Sequence, residues 1–169
     1  MNYTMIGLRL FHIFSAVVWV GATFTMVLFI SETAAALGAD AQKFMQYFTQ
    51  RSRFQKYMAA TSGLTVLSGI WMYYIVIGPV PNFSIGRDLA LTVGALAGFA
   101  AMYIGIRMAG TVNKMRSVGE AIGKAGKPSQ EQLGNMGQLQ ERLGQFGSLN
   151  AVLMVVALAG MTLSEYFAF

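Results

Sequence analysis

Four long runs of apolar residues constrain this chain more than any other feature of its sequence. Each run has about 20 residues or more, and a helix that rises about 1.5 Å per residue needs about that many to cross roughly 30 Å of hydrocarbon. Strands are a poor alternative, because open sheet edges in lipid leave backbone groups unpaired and no period-two alternation runs through these segments. The pattern predicts an all-α fold, an integral membrane four-helix bundle, with spans at about residues 5–31, 57–78, 89–110 and 149–167.

Composition supports a single membrane domain across all 169 residues. Hydrophobic residues make up 55% of the chain and charged residues 11%, whereas soluble domains carry about 25% charged residues. The first apolar run continues too far to be a signal peptide, so we interpret it as a retained helix. Because the chain has no cysteine, any metal or haem must be held by His, Met, Tyr or carboxylates.

The basic residues predict the orientation in the bilayer. Ten of the twelve lie in the two segments 32–56 and 111–148 or at their border, which are therefore expected to be cytoplasmic. Both termini and the loop from Pro79 to Asp88 then face the non-cytoplasmic side of what we expect to be a bacterial inner membrane. Basic residues concentrated in the segments between spans are typical of membrane proteins. The net charge of +5 therefore does not indicate a nucleic-acid-binding surface. The ten residues are Lys43, Arg51, Arg53, Lys56, Arg107, Lys114, Arg116, Lys124, Lys127 and Arg142.

The connecting segments carry helix boundary signals. In the first cytoplasmic segment, Gly38 is a candidate C-cap and Asp40 a candidate N-cap. In the second, a Ser129-x-x-Gln132 capping box opens an amphipathic stretch that we expect to form a cytoplasmic helix on the membrane surface or below the bundle. On the outer side, the prolines between Gly78 and Asn82 predict a firm break.

Glycines at Gly94-x-x-x-Gly98 and Gly160-x-x-x-Ser164 would let helices approach closely. The expected use is packing inside the bundle, and a dimer seam is the alternative.

His12 is the only histidine and lies about 10 Å inside the first span. Arg9, His12, Ala16 and Trp19 share one helix face, which should point into the bundle or a partner because polar groups within spans are expensive. For His12, a structural hydrogen bond to Glu165, a serine or a backbone carbonyl competes with ligation or proton transfer. Arg9 either snorkels to the outer headgroups or binds a ligand.

If both termini face the non-cytoplasmic side, two methionines lie at about the same depth in the membrane as His12. Met72 is about 9 Å from the outer end of its span and Met161 is at a similar depth, so both are expected to share a layer with His12. Imidazole with thioether is a known haem ligand set, and thioethers also favour Cu(I). The competing interpretation is that these methionines fill gaps in the core.

The run Leu8 to Phe24, LRLFHIFSAVVWVGATF, resembles the opening helix of the bacterial copper-resistance D-like membrane proteins and the related HemJ-type protoporphyrinogen oxidases. Their "LHxxxAxxWxGG" segment is matched by His12, Ala16, Trp19 and Gly21. The run Ser62 to Tyr73, SGLTVLSGIWMY, is similar to their next apolar helix. The resemblance implies that His12 is a haem or metal ligand; the basic motif of the HemJ-type enzymes has no match here.

These observations lead to a hypothesis of a small membrane protein that binds haem b, or alternatively copper, through His12, with Met72, Met161, Arg9 and Trp19 completing the site. Its role would be electron transfer or haem and metal handling, and any enzymatic activity would be a redox one. With one histidine, bis-histidine ligation needs a second copy of the chain, which makes a homodimer possible. The alternatives are an accessory subunit of a larger membrane complex and, less favoured without broken helices or an inverted second half, a small-solute transporter.

Overall fold

The computed structural model describes residues 3–50, 52–77 and 86–167, and all regular structure in these residues is helical. The predicted outer break from Gly78 to Asn82 lies outside the described residues. The helices are α1 (Tyr3–Phe24), α2 (Ser31–Leu37), α3 (Ala41–Gln50), α4 (Phe54–Ile77), α5 (Arg87–Ala125) and α6 (Gln130–Leu163). Short helical turns of other kinds lie at Thr25–Ile30, Gly38–Asp40 and Ser164–Phe167.

Four of the helical segments are long and apolar enough to cross a membrane, which confirms the all-α four-helix membrane fold. The first runs from Tyr3 to Leu37 through the π-helical turn Thr25–Ile30. It ends where predicted, because Gly38 adopts a positive φ of 54° that residues with a Cβ avoid.

The bundle is made of two helical hairpins. α1 packs on α4, and α5 packs on α6 in the most extensive contact of the molecule. Trp19 of α1, Ala101 of α5 and Met154 of α6 form the buried cluster that joins the hairpins. The opposite face of α1 exposes Leu10, Phe14 and Val17, as expected of side chains in contact with lipid.

Glycines make the α5–α6 contact possible. A Cβ added to Gly160 would lie 2.7 Å from the Cα of Gly94 and 2.7 Å from the carbonyl oxygen of Ala90. These helices therefore touch backbone to backbone, which confirms the prediction that Gly94 and Gly160 serve packing inside the bundle.

The amphipathic stretch after Ser129 is part of α6 and not a separate cytoplasmic helix, which corrects that expectation. α6 runs unbroken from Gln130 to Leu163, because no proline or positive-φ glycine interrupts it after the start. The capping box itself is confirmed: the Ser129 hydroxyl accepts from the Gln132 N–H, and the Gln132 side chain accepts from the Ser129 N–H. α5 likewise continues to Ala125 and ends at Gly126 with φ 75°, so residues 111–148 form the half of the long α5–α6 hairpin that contains its turn.

Candidate functional site

The buried face of α1 carries most of the predicted site. His12, Ser15, Trp19 and Thr23 are the buried residues of this helix, and their spacing of three or four positions aligns them on one side. Ser15 and Thr23 each donate a hydroxyl hydrogen bond to a carbonyl one turn earlier in α1. His12 is therefore the polar residue of this face whose side chain bonds to another helix.

His12 is anchored to α4 through one ring nitrogen. The hydrogen bond that was expected as the alternative to ligation is therefore present, to a backbone carbonyl and a serine, whereas Glu165 pairs with Arg9 instead. Its Nδ1 lies 2.8 Å from the carbonyl oxygen of Thr65 and 3.1 Å from the hydroxyl oxygen of Ser68. A carbonyl oxygen only accepts, so Nδ1 carries the proton and donates it. The Ser68 hydroxyl in turn donates to the carbonyl of Leu64 at 2.6 Å, which leaves its lone pairs facing Nδ1.

This hydrogen bond orients the ring more than it stabilises the fold. Interhelical hydrogen bonds within membranes contribute about 0.6 kcal/mol on average, a small part of a helix–helix contact. The direction of the bond, however, fixes the tautomer: with Nδ1 protonated, Nε2 carries the lone pair of the neutral ring.

The other nitrogen, Nε2, is free. Within the part of the chain that the structure describes, no residue forms a hydrogen bond with Nε2, and the buried side-chain nitrogen or oxygen atom that lacks a partner there is Asn150 Oδ1. Nε2 is therefore not fully buried, although the whole His12 residue is only 8% exposed.

Gly69 has no side chain, which allows the His12 ring to pack directly against the backbone of α4. A Cβ at this position would lie 3.0 Å from Cε1 and 3.4 Å from Nδ1 of His12. Any larger residue would push the imidazole away from Thr65, so Gly69 is a positioning residue for the ring.

The remaining predicted site residues are placed as follows. Arg9 forms an ion pair with Glu165 at 3.1 Å, and both side chains are more than half exposed; such a pair contributes about 0–1 kcal/mol. Trp19 is 5% exposed in the core cluster. Met72 is half-buried on α4, one turn beyond Ser68 and on the same face.

Met161 is directed into the α5–α6 contact, with its methyl group 3.9 Å from the Cβ position of Gly98. The structure thus joins His12 to α4, and Arg9 to the helical turn that follows α6. The common layer of His12, Met72 and Met161 stays a prediction.

Residues Thr65, Ser68 and Gly69 were not among the predicted site residues. A signal for them exists: Thr61, Thr65, Ser68 and Gly69 recur at helical spacing and form a stripe of small residues, three of them with hydroxyl groups, on one face of α4.

The donor set limits what this site can hold. Among residues 3–50, 52–77 and 86–167, no three His, Cys, Asp or Glu side chains lie close enough together to bind a metal ion. A metal held only by imidazole, thiolate and carboxylate ligands does not fit these residues. A group that needs one imidazole does, since haem iron already has four ligands from the porphyrin and can be held by a single proximal histidine.

Comparison with known proteins adds no family assignment: no family model, no curated protein and no solved structure matches this chain.

Proposed function

We propose that this multi-pass membrane protein binds haem b, or alternatively copper, through Nε2 of His12 and serves electron transfer or haem and metal handling. The observation that carries the proposal is the hydrogen bond from His12 Nδ1 to the Thr65 carbonyl. Metal-ligating histidines almost always donate their second ring nitrogen in this way, which fixes the ring and raises the basicity of the ligating nitrogen.

The lack of a hydrogen-bond partner for Nε2 among the described residues supports the same proposal. A ligating nitrogen needs a lone pair without a competing donor, and Nε2 of His12 meets this condition among the described residues. The neighbouring polar groups do not compete, because the hydroxyls of Ser15 and Ser68 donate to backbone carbonyls of their own helices. One imidazole suits haem better than copper, which would need more protein ligands.

Each residue of the proposed site has a separate role. His12 would bind the iron through Nε2, the Thr65 carbonyl and the Ser68 hydroxyl accept the hydrogen bond from Nδ1, and Gly69 leaves room for the ring beside α4. Met72 on α4 would supply a thioether if the bound group takes a second protein ligand, and Met161 could do so only after turning away from its contact with Gly98. When bound, haem iron supplies one-electron chemistry between its ferrous and ferric states.

The proposed location is a bacterial inner membrane, with both termini on the non-cytoplasmic side and His12 in the outer leaflet. The one-sided distribution of Lys and Arg supports this orientation. The ion pair between Arg9 and Glu165 is consistent with it, because both side chains are exposed near the same end of the bundle.

The test is an absorption spectrum of the detergent-purified protein with metal analysis of the same sample. We expect a Soret band with about one haem per one or two chains, lost in His12→Ala. Ser15→Ala is the matched control, because Ser15 is buried on the same face and bonds only within α1; it should keep the band. A wild-type protein free of haem and copper would refute the proposal.

A second candidate function, an accessory subunit of a larger membrane complex, is favoured by the length of the α5–α6 hairpin. α5 has 39 residues, which corresponds to about 58 Å of helix against roughly 30 Å of hydrocarbon. The hairpin therefore projects about 28 Å beyond the hydrocarbon core and offers exposed polar surface to a partner. Stoichiometric co-purification with other membrane subunits that is lost when residues 119–137 are deleted would support this function over haem binding.

A further inference from the structure

The beginning of α4 carries exposed basic and aromatic side chains together. Arg53 and Lys56 are exposed, and Tyr57 is 60% exposed. The Tyr57 N–H donates to the Arg53 carbonyl at 3.0 Å, so Arg53 stands one helical turn before Tyr57. The spacing of three and four positions places all three side chains on one side of the helix.

α3 adds two exposed aromatic side chains close to the same end of α4. Its Phe48 ring packs against the Phe54 ring, with the ring centroids 4.8 Å apart, and this contact holds α3 beside the beginning of the span. Phe44 and Tyr47 of α3 are 56% and 65% exposed. We define the basic–aromatic patch as Phe44, Tyr47, Arg53, Lys56 and Tyr57.

The positive charge of the patch is not compensated within the described part of the chain. Neither Arg53 nor Lys56 forms an ion pair there, whereas three other arginines do. The sequence from Ala41 to Gly86 contains four basic residues and no acidic one. Asp40 precedes α3 and so lies at the end of that helix away from α4. The complement of this patch is therefore an anion from outside the chain.

The tyrosines of α4 place the patch at the level of the lipid headgroups. Tyr57 and Tyr74 are both exposed and are 17 residues apart, which is about 26 Å along the helix. Tyrosine is enriched at both interfaces of a bilayer, whose hydrocarbon core is roughly 30 Å thick. Lys56 and Arg53 therefore lie at the hydrocarbon boundary and just beyond it, where the lipid phosphates are.

We propose that the basic–aromatic patch binds an anionic phospholipid of the leaflet that it faces. Arg53 and Lys56 contact the phosphate, and the rings of Phe44, Tyr47 and Tyr57 contact the glycerol and the upper part of the acyl chains. Basic clusters beside a transmembrane helix or on an amphipathic helix recognise anionic lipids in this way. A soluble polyanion would match the charge but would not account for aromatic side chains at the hydrocarbon boundary.

The test is a titration of the protein in a neutral detergent with phosphatidylglycerol and with phosphatidylcholine of the same short chain length, read by the rise in Tm. The wild-type protein should bind phosphatidylglycerol more tightly, and added salt should reduce the preference. Each basic residue near an anionic surface contributes about fivefold to binding. Arg53→Gln with Lys56→Gln should therefore weaken phosphatidylglycerol binding roughly 25-fold and leave phosphatidylcholine binding unchanged.

The control variant is Lys124→Gln with Lys127→Gln. It removes the same charge from exposed residues at the turn of the α5–α6 hairpin, away from the span ends, and should keep the lipid preference. Equal binding of the two lipids by the wild-type protein, a comparison that requires no variant to fold, would overturn the proposal. An equal loss in the two variants would do the same. Inorganic phosphate that displaces phosphatidylglycerol at equal concentration would assign the patch to a free anion instead.

Discussion

Replacing Gly160 by alanine should destabilise the bundle, because α5 and α6 meet there backbone to backbone. The new Cβ would lie 2.7 Å from Gly94 Cα and from the Ala90 carbonyl oxygen, against 3.4 Å for an ordinary contact. The helices must therefore separate locally by about 0.7 Å, and no flexible side chain can yield instead. Overpacking of this kind costs about 1–3 kcal/mol.

Gly144→Ala is the matched control in the same helix, since nothing lies within 4 Å of its Cβ position. Both substitutions gain the same helix propensity, so their difference isolates the clash. Thermal unfolding by circular dichroism in detergent should place Gly160→Ala about 4–8 °C below Gly144→Ala. Equal melting temperatures for the two variants would refute the backbone contact, and a change of oligomeric state on size-exclusion chromatography would assign Gly160 to a dimer seam instead.

Three further outcomes are expected. Gly69→Ala should displace the His12 ring by a few tenths of an ångström and shift the Soret maximum or weaken haem retention; an unchanged spectrum would count against its positioning role. The hydrogen bond and charge of Arg116 lower the pKa of Glu120. Any stabilisation of the folded protein by this pair is therefore present above the ordinary carboxyl pKa, and it is lost as the pH falls through the lowered pKa of Glu120. Because this pair is exposed, Glu120→Gln should melt with the wild type at pH 7, and a clear drop would show a stronger pair. A cysteine that replaces Ser129 would be the only cysteine of the chain. If residues 111–148 are cytoplasmic, this cysteine should react with an impermeant maleimide only after the cells are opened. Labelling of intact cells would show that the topology is the opposite of the predicted one.

The fold was predictable because its main determinant is local. Runs of apolar residues long enough to span hydrocarbon can be read directly from the sequence, and Gly38 and the Ser129 capping box marked real helix ends. The continuity of α6 was not predictable in the same way. Its first half is polar enough to resemble a surface helix, and only its packing along α5 shows that it continues into the span.

Only the α1 residues of the candidate site could be predicted from the sequence, and its α4 residues could not. The spacing of His12 and Trp19 placed both on the buried face of α1, as the structure has them. Which residues of α4 face His12 depends on the register between two helices, and no periodicity within either helix encodes that register.

The most direct measurement of the central claim is a haem titration of the His12→Gly protein with and without added imidazole. If Nε2 of His12 is the ligand, the variant should not bind ferric haem in a saturable way alone, and imidazole should restore a Soret band close to that of the wild type. Binding by His12→Gly as tight as by the wild type, without imidazole, would contradict the assignment of His12 as the ligand.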